Sequence, residues 1–168
     1  MAHFLLIIAA EGFRDEEYFY TKEELIKAGH KVTTASVARQ AHGSQGGQTH
    51  VDILLNEASA NDYDAISFIG GQGAYDYFEN ETAHNLAKTF YNNNKITSAI
   101  CAAPGILAHA GLLKNKNFTS FSGVKELVES KGGHYRESPV VQDGLIITSQ
   151  GPHTAREFGK ALAAAHGK

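Results

Sequence analysis

The chain of 168 residues reads as one α/β domain, residues 1–168, built on a mostly parallel β-sheet. Three observations predict this class. Short apolar runs alternate with segments of helical periodicity, which is the pattern of repeated βαβ units. At 42% hydrophobic, a chain of this length can bury roughly two thirds of its unfolded surface in a single core. No linker, internal repeat or low-complexity tract divides it.

Each element follows from its own residues. HFLLIIAA opens the chain as a buried strand: no basic segment precedes it, as a signal peptide requires, and it is too short to span a bilayer. A helix is predicted near residues 15–28, then the strand KVTTASV. AHGSQGGQTH, residues 41–50, is the most loop-like segment, with room for a small hairpin. The strand AISFIG comes next, followed by a helix near residues 82–91, the strand KITSAIC and a helix near residues 104–110. NFTSFS reads as one more strand. PVVQDGLIITS gives two β-rich runs around Asp143-Gly144, a hairpin-type turn, and residues 152–166 form a helix opened by proline.

Composition narrows the function classes. Charge nearly balances, with 15 Lys+Arg against 18 Asp+Glu, and no Lys/Arg cluster supplies the basic footprint that nucleic acid or an anionic membrane needs. Neither is expected as a partner. The single cysteine cannot form an internal disulfide, in keeping with a reducing, cytoplasmic location, and its thiol is free for chemistry or packing.

Open α/β sheets bind ligands beyond the carboxyl ends of their strands, which makes Gly70-Gly71 and Cys101 neighbours. Ala99, Ala102 and Ala103 flank the cysteine at a strand-to-helix junction. A sharp turn that exposes a nucleophile forces backbones together, so small residues are needed there. The helix beginning near Pro104 turns its positive end toward the sulfur and is expected to lower the thiol pKa. The amides of Ala102 and Gly71 are placed to cradle an oxyanion. On the first helix Glu17, Thr21, Leu25 and Ala28 share a stripe, which sets Glu17 at the edge of the buried face. Facing a thiolate in an apolar pocket, Glu17 would share one proton with it and could move that proton during catalysis.

With Glu17, Gly70-Gly71, AICAAPGILAHAGLL and DGLIITSQGPHTAREFGKAL in this order, the sequence resembles the ThiJ/PfpI superfamily, which is class I glutamine amidotransferase-like, over almost its whole length. Within it, the branch of the parkinsonism-associated protein deglycase and its bacterial relatives is most similar. The resemblance implies a flavodoxin-like three-layer sandwich, usually dimeric, with Cys101 as an elbow nucleophile beside a protonated Glu17. It assigns oxyanion binding to the Gly71 and Ala102 amides and lines the pocket with Pro152. Members of the superfamily are glyoxalases, deglycases, isonitrile hydratases, proteases, chaperones or redox sensors.

Departures from the pattern rank these activities. Protease-type members carry histidine directly after the cysteine, where this chain has Ala102. Deglycase-type members place a histidine on the following strand, where Phe121 and Ser122 stand. Arg14 occupies a commonly acidic position and could bind a carboxylate or aldehyde hydrate. Gln45 stands for an arginine that often reaches the pocket from the partner subunit. Nine histidines show no HxH or HExxH pattern, so no metal site is expected. His153, next to Pro152, is the candidate replacement for the missing pocket histidine, whereas His134 reads as surface. Tyr75, Tyr77 and Phe78 read as core or dimer contact ahead of a substrate box.

The expectation is a cofactor-free cysteine enzyme that converts methylglyoxal or a related α-oxoaldehyde through a Cys101 hemithioacetal, with Glu17 as proton shuttle. The alternatives are a redox sensor or stress chaperone with an oxidisable Cys101, and an isonitrile hydratase. Partners are a small electrophile and, by resemblance, a second copy of the chain; Tyr18, Phe19 and Tyr20 run round the first helix further than one buried stripe can absorb.

Overall fold

The computed structural model describes residues 1–166. Its strands are β1 (His3–Ile7), β2 (Glu11–Phe13), β3 (Lys31–Ser36), β4 (Gln40–Gly43), β5 (Gln48–His50) and β6 (Ile53–Leu54). The second half adds β7 (Ala65–Phe68), β8 (Ile96–Ile100), β9 (Asn117–Phe118), β10 (His134–Tyr135), β11 (Val140–Asp143) and β12 (Ile146–Ser149). The helices are α1 (Asp15–Lys27), α2 (Glu81–Asn92), α3 (Pro104–His109), α4 (Lys125–Ser130) and α5 (Ala155–Ala165).

Seven strands form the central sheet in the order β11-β12-β8-β7-β1-β3-β6. Only the β11–β12 pair is antiparallel. The strands β3-β1-β7-β8-β12 follow the flavodoxin-like doubly wound order. From β1 the chain crosses first to β3 and then returns to β7 on the other side. That reversal opens a crevice at the carboxyl ends of β1 and β7, where such folds bind ligands.

Burial explains why the strand sequences are continuously apolar. β7 and β8 are buried at every residue, and β1 at all but His3. Helices α1 and α5 pack together on one face of the sheet, while α2 and α3 cover the other. Gly159 permits the first contact: a Cβ there would lie 2.8 Å from Glu24 Cβ and 3.2 Å from the Thr21 backbone. The N-terminus of α2 is capped by Asn80, whose side chain accepts from Ala83 N–H at 2.9 Å. Among the described residues no helix is long and apolar enough to cross a membrane.

Three expectations change in detail. NFTSFS is extended only at Asn117–Phe118, and that strand pairs with β10 in a separate two-stranded sheet. Beyond it the chain bends back to the main sheet, where Thr119 N–H donates to Thr148 Oγ1 at 2.9 Å and Phe121 N–H to the Cys101 carbonyl at 2.8 Å. Residues 41–50 do carry a hairpin, β4–β5, and β2 joins it in a three-stranded sheet. The proline-opened helix begins as a 3-10 turn, Pro152–Thr154, before α5.

Candidate active site

Cys101 directly follows β8 and has φ 64, in the left-handed region. Among the described residues the other non-glycine residues there are Asn94 and Asn115, a residue type that tolerates it. For cysteine this conformation costs about 1–2 kcal/mol and persists only where the surroundings fix it. They do so here: Cys101 N–H donates to the Ser149 carbonyl at 2.9 Å, and Cys101 C=O accepts from Phe121 at 2.8 Å. Ala99, Ala102 and Ala103 are all buried, so the sharp turn meets no bulky side chain.

The glycine pair after β7 brings the neighbouring segments into contact. A Cβ on Gly70 would lie 2.5 Å from Glu17 Oε1, 2.6 Å from the Ile100 carbonyl and 2.7 Å from Cys101 Cβ. Glycine is required where acid and nucleophile converge. Gly71 has φ 108, and a Cβ there would strike the backbone of Gly12, Phe13 and Arg14. Gly70 C=O in turn accepts from Arg14 N–H at 2.9 Å, tying the start of α1 to the end of β7.

Glu17 is completely buried, and both its carboxyl oxygens are without a hydrogen-bond partner. They face the Cys101 sulfur and the Gly70 amide, but neither contact has the geometry of a full hydrogen bond. Burial raises its pKa to about 8, against smaller lowering effects from Cys101, the Gly70 amide and Arg14. Glu17 therefore keeps its proton at neutral pH.

Burial and the adjacent Glu17 charge also push the Cys101 thiol up, while the amides of Ala102 and Gly71 pull it down. The expected low thiol pKa gives way to a pair that holds its protons jointly. Helix α3 has only six residues and starts at Pro104, so its field is a weaker counterweight than the sequence led us to expect.

A pocket of about 340 Å³ opens over this pair. Its floor is Glu17, Gly71, Cys101 and Ala102, and its walls are Arg14, Ser44, Gln45, Gln72, Tyr75, Phe121 and Pro152. The structure thus brings together Cys101, Glu17, Gly71, Ala102, Arg14 and Pro152, as the sequence predicts. Arg14 is less available than expected, because its guanidinium forms a bidentate pair with Glu16, both bonds 3.0 Å.

His153 is the exception. Its side chain is exposed, makes no hydrogen bond among the described residues, and does not line the pocket. It lies beside the side-chain-free face of Gly151, where a Cβ would be 3.6 Å from His153 Nδ1 and 3.9 Å from Cys101 Sγ. The 3-10 turn gives its inward polar position to Thr154, whose Oγ1 bonds Ser149 Oγ at 2.7 Å and Gly151 N–H at 3.1 Å.

Other residues at the wall were given their place by the structure. Gln45 reaches the pocket of its own chain, on the β4–β5 turn. Asp15 holds that turn, with Oδ1 accepting from Gln45 N–H at 2.9 Å and Oδ2 from Gly47 N–H at 2.7 Å. The carboxylate occupies the space that side chains on Gly43 and Gly47 would fill. Glycines at 43, 46 and 47 were the available signal, but nothing local named Asp15 as their partner. Tyr77 is core, its hydroxyl donating to Ile8 C=O at 2.8 Å, whereas Tyr75 faces the pocket. Among the described residues no three His, Cys, Asp or Glu side chains converge as a metal site would require.

Fold and site together define a flavodoxin-like α/β protein whose one cysteine sits on a strained elbow against a buried acid. The chain belongs to the DJ-1/PfpI family, whose model matches residues 3–165. Deglycase PfpI of Pyrococcus furiosus is 31% identical, the match covering 94% of this chain and 98% of the relative. The ThiJ/PfpI domain protein of Brachyspira murdochii has a similar crystal structure, with TM-score 0.94 and 32% identity over 96% of this chain and 94% of that one. DJ-1beta of Drosophila melanogaster superposes with TM-score 0.90 at 31% identity, over 98% and 89% of the two chains.

Proposed function

We propose that the protein is a cofactor-free cysteine enzyme of the glyoxalase or deglycase type, acting on methylglyoxal or related α-oxoaldehydes. Similarity to relatives named deglycase supports the class. The observation that carries the reading is the buried, unpartnered Glu17 carboxyl set against Cys101, with the Ala102 and Gly71 amides at the sulfur.

Reaction begins from the minor form of the pair with sulfur as thiolate and Glu17 as acid: burial disfavours the thiolate, and the Ala102 and Gly71 amides offset part of that cost. Sγ bonds to the aldehyde carbon, and the carbonyl electrons move to oxygen, where the two amides stabilise the charge and Glu17 delivers its proton. Glu17, now a carboxylate, removes the hydrogen on that carbon to give an enediolate and returns it to the neighbouring carbon, while the hydroxyl proton passes to the former ketone oxygen as the sulfur-bearing carbon becomes a thioester carbonyl. The resulting thioester is hydrolysed to a 2-hydroxy acid and the free thiol. Conversion of methylglyoxal to lactate without added thiol tests this, and Cys101→Ser should lower turnover at least about a hundredfold. Unchanged turnover in that variant defeats the mechanism.

The redox-sensor reading has one observation in its favour: among the described residues no imidazole lines the pocket, since Phe121 occupies the wall and His153 lies outside. In it, two peroxide molecules each give one oxygen to Sγ and leave as water, producing a sulfinate. Selective gain of two oxygens at Cys101, with no methylglyoxal turnover, would favour it. We also infer a homodimer, since Phe19 and Ile26 on α1 are 37% and 52% exposed. Light scattering that finds a monomer at micromolar concentration refutes this.

A further inference from the structure

Two large rings line the pocket instead of the core. Tyr75 is 39% and Phe121 44% exposed, and both face the space over Cys101. Each is positioned, directly or through one neighbour, by a glycine. The Phe121 ring lies across Gly123, where any Cβ would overlap it, and its backbone N–H is bonded to the Cys101 carbonyl at 2.8 Å. Tyr75 packs on Phe78 with ring centroids 4.8 Å apart, and the Phe78 ring fills the space of a Cβ on Gly105, one turn past the elbow. Both rings are thereby referenced to the nucleophile.

Their chemistry is that of faces, not charges. Phe121 has no polar side-chain atom, and the Tyr75 ring stands 39% exposed at the pocket wall. Arg14, the cation of the pocket wall, is paired with Glu16. A methyl substituent would leave both rings wet, whereas a flat aromatic group beside the reacting carbon would cover apolar surface and stack.

We infer that Tyr75 and Phe121 form an aryl-binding subsite, so that the substrate class is aryl α-oxoaldehydes such as phenylglyoxal; this rests on the glyoxalase reading above. The steps balance as for methylglyoxal. Sulfur adds to the aldehyde carbon, Glu17 moves the hydrogen from that carbon to the ketone carbon, and water displaces sulfur to give mandelate.

Two measurements test it. Wild type should show kcat/KM for phenylglyoxal at least about tenfold above that for methylglyoxal. Phe121→Ala and Tyr75→Ala should each cut this ratio roughly fivefold or more, and Tyr75→Phe should retain it. Separately, calorimetry on Cys101→Ser should find mandelate bound more tightly than lactate, with the preference lost when Phe121→Ala is added. If neither aldehyde turns over while the mandelate preference holds, the glyoxalase reading fails and the subsite stands. Equal binding of mandelate and lactate, or a kcat/KM ratio near one, overturns the subsite. A drop in molecular mass of Phe121→Ala with the ratio unchanged also overturns it, since the rings would then serve a subunit interface.

Discussion

The floor and the rim of the pocket are built in opposite ways. Floor residues Cys101, Glu17 and Ala102 are buried: the first and last follow β8, and Glu17 comes from α1, whose start is tied by backbone to the glycine turn after β7. The rim consists of exposed side chains from separate connections, Gln45 on the β4–β5 turn, Tyr75 after β7 and Phe121 after β9, with His153 beyond it before α5. Atoms that must hold a reacting centre to a fraction of an ångström are placed by the sheet. Groups that select a ligand sit on loops, where exchange costs the fold little.

Disturbing the floor should cost most. Gly70→Ala would drive a Cβ to within 2.5 Å of Glu17 Oε1 and 2.7 Å of Cys101 Cβ, so turnover should fall about as far as in Cys101→Ser, a hundredfold or more. Circular dichroism confirming the native fold assigns that loss to the site; turnover within tenfold of wild type would show that the floor is not rigid.

Next comes Glu17→Gln, read as stability against pH. Folding raises the Glu17 pKa from 4.5 to about 8, so between those values the folded protein keeps a proton that the unfolded chain has released. Stability of the wild type should therefore fall as pH rises through this window. The glutamine variant lacks that slope, and its Tm should exceed wild type by roughly 2–8 °C at pH 8.5 and match it near pH 4.5. A gap independent of pH would mean that Glu17 ionises freely in the fold.

Rim changes should be smaller. Asp15→Ala frees the amides of Gln45 and Gly47, and we expect KM to rise about three- to tenfold with kcat nearly kept. A kcat loss equal to the KM change would assign the turn to the chemical step. Smallest is His153→Ala, expected within about twofold of wild type, because the imidazole is exposed and does not line the pocket. A tenfold loss would restore His153 to the mechanism and erase the distinction between floor and rim.

Much of the floor was legible in the residues. The alternation of apolar runs and helical segments located β1, β7 and β8, and the two glycines, the alanine-flanked cysteine and Glu17 on its helical stripe marked one end of the sheet. These signals are local: a buried strand needs continuous apolar residues, and a sharp turn needs small ones.

The rim was not legible. No local pattern says that the chain after Phe118 bends back, so that Phe121 becomes a wall, or that Thr154 rather than His153 takes the inward place. Tertiary structure also decided the protonation of the pair. The sequence can set a carboxyl and a thiol in one apolar region, but Glu17 is raised to about 8 only because α1, β7 and β8 together exclude water from it. Desolvation depends on what several distant segments jointly cover, and no one of them encodes it.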